Sequence, residues 1–247
     1  MNSISKFSGT HYLWQGFSLI TKPKLRLFVI IPLLINFLLF FALIAVSIHY
    51  FHTFIAWIDH LLPSWLEWLN GLLWLLLAIS LGLVMIFCFT TLANTLGAPF
   101  YSVLASKVEL YLTNKPVAED SWSDTIKDIP RTLKREWEKF VYFIPRALLC
   151  FILFFVPIIQ VFANAIWFLF NAWTLAIQYL DYPADNHKMP FRKFLSILSR
   201  HRMPVLGFGV WIMMLSFIPI INCFLLPAAV AGSTAMWVDV LANEFNI

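Results

Sequence analysis

Charge is scarce in this 247-residue sequence, at 12% of residues against 61% hydrophobic and 17% aromatic. A soluble domain carries about a quarter charged residues, so this balance excludes one and points to an integral membrane protein built as a bundle of helices. Four long apolar regions contain no acidic residue, which argues against a proton relay or sodium site built on an intramembrane carboxylate. Cysteine is limited to Cys88, Cys150 and Cys223, far apart and inside apolar sequence. That spacing excludes a disulfide framework and a metal site, and the three read as buried small residues. The sequence has no P-loop and no dinucleotide fingerprint, so ATP-driven pumping by this chain alone is disfavoured. The length leaves no room for a separate soluble catalytic domain, and a single membrane domain over 1–247 is expected.

What is present is organised by the apolar regions and the charges between them. A hydrocarbon core of roughly 30 Å takes about 20 helical residues to cross. The stretches 27–48 and 71–92 are uncharged over 22 residues each and read as two full spans. The first also exceeds the usual core of a signal peptide and is expected to be retained. The link between them holds Asp59 and Glu67 but no Lys or Arg, and its Trp57, Trp65 and Trp68 suggest an interfacial aromatic belt.

The segment 93–146 carries eight Lys and Arg and is expected to stay in water or at the interface, with an amphipathic helical region over about 101–140. Within it Ile126, Ile129, Leu133, Trp137 and Phe140 share one helical face, and Lys127, Arg131, Lys134, Arg135 and Glu138 lie largely elsewhere. The expectation is that the apolar face packs on the protein and the charged face is solvated, with contact to anionic lipid as the alternative. Asp124 and Asp128 near its start suit the helix dipole.

The third and fourth apolar regions, 147–180 and 205–238, are 34 residues each, too long for one crossing and too short for two. The third is flanked by Lys139 and Arg146 before it and by Lys188, Arg192, Lys193, Arg200 and Arg202 after it, so both ends belong on the cytoplasmic side. Two helical hairpins of partial depth satisfy length and charge together. The first is expected to turn between Pro157 and Asn164, and the second to be interrupted at Pro219, Asn222 and Pro227. A single tilted span is the alternative for 147–180.

Three groups of residues are candidates for chemistry. Before the first span, Lys22, Pro23, Lys24, Leu25, Arg26 and Leu27 place cations around a helix start, whose free N–H groups favour an oxyanion. Arg26 adds a two-point hydrogen-bond donor. Asp181, Asp185 and His187 have residue types suited to a metal or to acid–base work, although a turn re-entering solvent explains them as well. Gln160, Asn164, Asn171, Gln178 and Asn222, inside the apolar regions, either line a hydrated path or bond helix to helix.

Five pieces spread along the chain resemble the CysZ sulfate permease family: KPKLRLFVIIPLLIN at 22–36, TLANTLGAPF at 91–100, KDIPRTLKREWEKF at 127–140, WFLFNAWTLAIQYLDYPADNHKMPF at 167–191 and GSTAMWVD at 232–239. The resemblance implies an all-α membrane fold with two long transmembrane helices, two partially penetrating hairpins and assembly into homo-oligomers. It implies sulfate transport across the bacterial inner membrane for cysteine biosynthesis, by a channel or facilitator, with sulfate bound where the first long helix opens. Relatives carry Gly, an aliphatic residue, Arg and Arg after the proline, where this sequence has Lys24, Leu25, Arg26 and Leu27, with Lys22 as an accessory charge. Sulfate and membrane lipid are the expected partners, with no nucleic acid, cofactor or metal. A membrane scaffold for sulfate assimilation and a membrane-embedded metal enzyme are the alternatives.

Overall fold

The structure, a computed structural model, describes residues 8–61, 70–115 and 122–242. Among these the chain is all helical, with no strand. The order is α1 (Gly9–Ile20), α2 (Arg26–Leu61), α3 (Asn70–Thr113), α4 (Trp122–Ile152), α5 (Gln160–Asn186), α6 (Phe191–Leu198), α7 (Arg202–Ser216) and α8 (Pro219–Met236). A 3₁₀ turn at Leu153–Phe155 and a π-helical turn at Trp237–Leu241 complete it. The chain forms two compact units, residues 30–100 and residues 1–29 with 101–247.

The first of these units holds most of α2 and the first part of α3. The two expected spans are present but sit inside helices of 36 and 44 residues, about 54 and 66 Å long, well over the depth of a bilayer core. Phe40 meets Phe89 edge to face at 5.6 Å, and the Ser47 hydroxyl lies 3.0 Å from the Met85 sulfur. Those contacts pair rising numbers in α2 with falling numbers in α3, so the two run antiparallel. Phe37, Leu38, Leu83 and Phe87 face outward at 60–72% exposure, the arrangement of a surface solvated by lipid. Trp65, Glu67 and Trp68 lie outside the described residues.

The other unit packs α1, α5, α7 and α8 through small residues. A Cβ at Gly9 would strike the backbone of α7 at Pro204 to Phe208, one at Gly16 the Ala228 carbonyl of α8, and one at Gly209 the Ala172 carbonyl of α5. Such close backbone approach is how helices associate where no water drives them together. Tyr12, Leu13, Phe208, Ile212 and Ala228 are fully buried. In the apolar window Phe224–Leu241, 72% of residues are buried, so α8 is the central helix of this unit. Helix α1 is not anticipated by the hydropathy pattern.

Both hairpins turn by the same device. Val156 before Pro157 is extended at φ −95°, ψ 109°, and Ile218 before Pro219 at φ −97°, ψ 105°. Proline sterically denies the preceding residue the helical region, and Pro219 then opens α8 from a position where its missing N–H costs nothing. The expected interruptions at Asn222 and Pro227 do not occur: both lie within α8. Burial of the surrounding Leu225, Ala228 and Ala229 outweighs the roughly 3 kcal/mol that an interior proline costs.

The amphipathic region expected over 101–140 is divided. Residues 101–113 end α3, and α4 runs unbroken from Trp122 into the first hairpin. Its orientation reverses the expectation. Leu133, Trp137 and Phe140 are 64%, 68% and 56% exposed, whereas Arg135 is 5% exposed. The medium outside an apolar bundle is lipid, so the apolar face turns outward and the charges turn in to find partners. Cys88 and Cys150 are free thiols and half-buried rather than buried.

Candidate functional site

The loop between α1 and α2 is a tight series of turns. Leu19 accepts from the Lys22 N–H at 3.0 Å, and the Lys22 carbonyl accepts from the N–H groups of Leu25 and Arg26 at 2.9 and 3.0 Å. Those two amides are therefore committed within the chain, and charge for an anion falls to the side chains. Lys22, Lys24 and Arg26 are exposed, Leu25 is 1% exposed and Leu27 is 60% exposed. None of the three cations has a carboxylate partner among the described residues.

Lys24 and Leu25 line a cavity of 440 Å³ whose other wall is Lys107, Leu110, Tyr111 and Asn114 at the end of α3. Arg26, Leu27 and Lys22 are not on it. Nor are Gln160, Asn164, Asn171, Gln178 and Asn222. Of these, Asn171 is half-buried and donates to the Trp167 carbonyl at 2.8 Å within its own helix, and the other four are exposed. Lys107 and Tyr111 were legible only as a pair four residues apart on one helical face. Nothing in the sequence indicates that this face meets Lys24.

Elsewhere in the same unit, the end of α3, α4 and α5 are tied by charge. Arg131, Arg135 and Lys139 recur every four residues on the inner face of α4. They meet Asp181 and Asp185, also four apart, on α5. Arg135 holds Asp181 by Nε–Oδ1 at 3.0 Å, Nε–Oδ2 at 3.2 Å and Nη2–Oδ1 at 2.6 Å, and its Nη1 donates to the Met189 carbonyl. Its guanidinium also sits 6.0 Å from the rings of Phe191 and Phe194. Lys139 reaches Asp181 at 2.5 Å, and Arg131 reaches Asp185 at 2.6 Å. Burial works against the charged form of Lys139, but Asp181 beside it prevails and raises its pKa. Arg131 is likewise raised: burial opposes its charge, and the hydrogen bond to Asp185 outweighs it. The Lys188 ammonium, 3.1 Å away, holds Asp128 below the usual carboxylate range against the opposing effect of desolvation, with Arg131 assisting.

The side chains of the Asp181–His187 cluster tie helices together. Its carboxylates are matched to guanidinium and ammonium groups, and His187 contacts Glu109 of α3 at 2.8 Å while stacking on Trp237 at 5.6 Å. Asn186 adds bonds to the Ser102 carbonyl and to the Ser106 hydroxyl, both at 2.9 Å. Among the described residues, no group of three or more His, Cys, Asp and Glu is placed to hold a metal ion.

Long apolar helices and two proline-turned hairpins define an all-α membrane protein, and the cations at the start of α2 have no carboxylate partner among the described residues. The chain matches the family described as Sulfate transporter CysZ/Etoposide-induced protein 2.4 over residues 12–227, and it belongs to that family. The matched range includes the cationic loop, the cavity, the ion-paired helices and both hairpin turns. The family is one of transporters rather than enzymes.

Proposed function

We propose that this protein conducts sulfate across the bacterial inner membrane for cysteine biosynthesis, as a homo-oligomeric channel or facilitator that receives the anion at the start of α2. The observation that carries the reading is family membership over a range that includes Lys22 to Leu27. The local chemistry supports it. Exposed cations without carboxylate partners, set at a helix start, attract a dianion from bulk water. Ammonium and guanidinium groups bound through solvent-exposed side chains also hold it weakly enough to release it, as conduction requires. In this reading Lys24 stands where relatives have glycine and takes over part of the charge of the missing second arginine.

Sulfate uptake into proteoliposomes tests the proposal with wild type and Arg26→Ala. Sulfate-dependent flux in wild type and reduced flux in the variant are expected. Equal flux in both would remove the role of Arg26, and no flux in wild type would overturn transport by this chain.

A further inference from the structure

We infer that the junction of α6 and α7 is a docking site for an anionic phospholipid, with Arg192 and Arg202 holding its phosphate and the outer face of α7 receiving an acyl chain. The site is independent of the sulfate reading above. Between Asp185 and Asp239 the sequence has five Lys and Arg and no acid. Lys188 is engaged by Asp128 at 3.1 Å. Arg192 and Arg202 are exposed, and neither has a carboxylate partner among the described residues. Helix α6 fixes where they point. Its Phe191, Phe194 and Leu198 are 3%, 0% and 0% exposed, so that face holds the helix to the bundle and Arg192 projects from the opposite one. The Arg202 Nε donates to the Ser199 carbonyl at 2.9 Å, which folds the guanidinium back over the end of α6 and leaves its two Nη groups for a ligand.

The same junction is where α7 meets acyl chains. From Met203 at 80% exposure, an apolar stripe continues through Trp211, Met214 and Phe217 at 37%, 54% and 75%, all on one face of the helix. On the outside of an apolar bundle such a stripe is solvated by lipid. The 15 residues of α7 reach about 22 Å, so with Arg202 at the headgroup level the turn at Phe217 lies within a hydrocarbon core of roughly 30 Å. An anionic phospholipid matches both features. Guanidinium groups bind phosphate through paired N–H donors, and the stripe takes the chain. A soluble anion uses only the arginines, and phosphatidylcholine brings a cation that they repel.

The test uses the full chain in vesicles of phosphatidylcholine and phosphatidylglycerol, in a background with the native cysteines replaced. A bimane label on Met203→Cys is quenched by either lipid brominated on its acyl chains, and the two quenching curves give the local preference for the anionic lipid. A label on Phe87→Cys, on the outward face of α3 within an uncharged stretch, is the reference. The preference at the α7 label is expected to exceed the reference about fivefold, the order set by a basic residue near an anionic surface. Arg192→Gln with Arg202→Gln is expected to return it to the reference, and Arg192→Lys with Arg202→Lys to keep most of the excess. Melting temperatures equal to wild type separate lost binding from lost folding. Equal preference at the two labels, or an excess that persists in the double Gln variant, overturns the site. An excess abolished by sodium phosphate but not by sodium chloride of equal ionic strength assigns the arginines to a soluble anion and overturns the lipid as ligand.

Discussion

Arg135 of α4 and Asp181 of α5 are each 5% exposed and share hydrogen bonds of 3.0, 3.2 and 2.6 Å, so that a full ion pair is enclosed between two helices of a membrane protein. Lys139 adds a further cation to the same carboxylate at 2.5 Å. The pair explains why the charged face of α4 is turned inward.

Removing Arg135 leaves Asp181 with Lys139 as its remaining cation. Arg135→Met is expected to destabilise the protein, by less than the about 3–5 kcal/mol that a wholly uncompensated buried charge costs. Asp181→Leu combined with Arg135→Met and Lys139→Met, which removes both cations with their carboxylate, is expected to recover part of that loss. Thermal melting in detergent checks both, and a triple variant no more stable than the single would argue against the ion-paired cluster.

The glycines of the helix interfaces differ sharply from those elsewhere. Gly16→Val and Gly232→Val drive side-chain carbon into the carbonyls of Ala228 and Tyr12, and a loss of at least about 1–3 kcal/mol is expected from overpacking. Gly82 in α3 has open space around it, and Gly82→Ala is expected to leave stability unchanged or raise it by about 0.5–1 kcal/mol. Melting temperatures of the three variants give the comparison.

Asp128 titrates below the usual carboxylate range because the Lys188 ammonium favours its charged form. A group with a depressed folded pKa stabilises the protein fully above its unfolded value of about 3.9, and the contribution is lost as pH falls through the lower folded value. The melting difference between wild type and Asp128→Asn is therefore expected to be constant near neutral pH and to vanish in acid. A difference that grows on acidification would reverse the assignment.

The outward apolar face of α4 predicts contact with lipid. Nitroxide labels on Leu133→Cys and Trp137→Cys, in a background with the native cysteines replaced, are expected to collide more with oxygen than with a water-soluble nickel chelate in liposomes. The opposite preference at both positions would mean that the face meets water.

Much of this architecture is readable in the sequence because the bilayer imposes lengths. The two spans, the two 34-residue regions and the steric effect of Pro157 and Pro219 on the residues before them all follow from local composition. The face periodicity of α4 is equally readable, but not its direction. Leu133, Trp137 and Phe140 form a stripe whichever medium they meet, and only the packing of Arg131, Arg135 and Lys139 against Asp181 and Asp185 shows that the charges turn inward. Pro227 misleads for the same reason, since burial of α8 overrides a local break.

The sequence alone determined the class of this protein, its hairpins, its family likeness and the cationic loop at Lys22 to Leu27, since hydropathy, charge bias and short motifs are properties of neighbouring residues. The tertiary structure decided that Lys24 faces Lys107 and Tyr111 across one cavity while Arg26 does not, that Asp181 and His187 tie α5 to α4 and α3, and that α1 is wedged among α7 and α8. Those are meetings of residues far apart in the chain, set by close backbone packing at glycines and by the need of every buried charge for a partner.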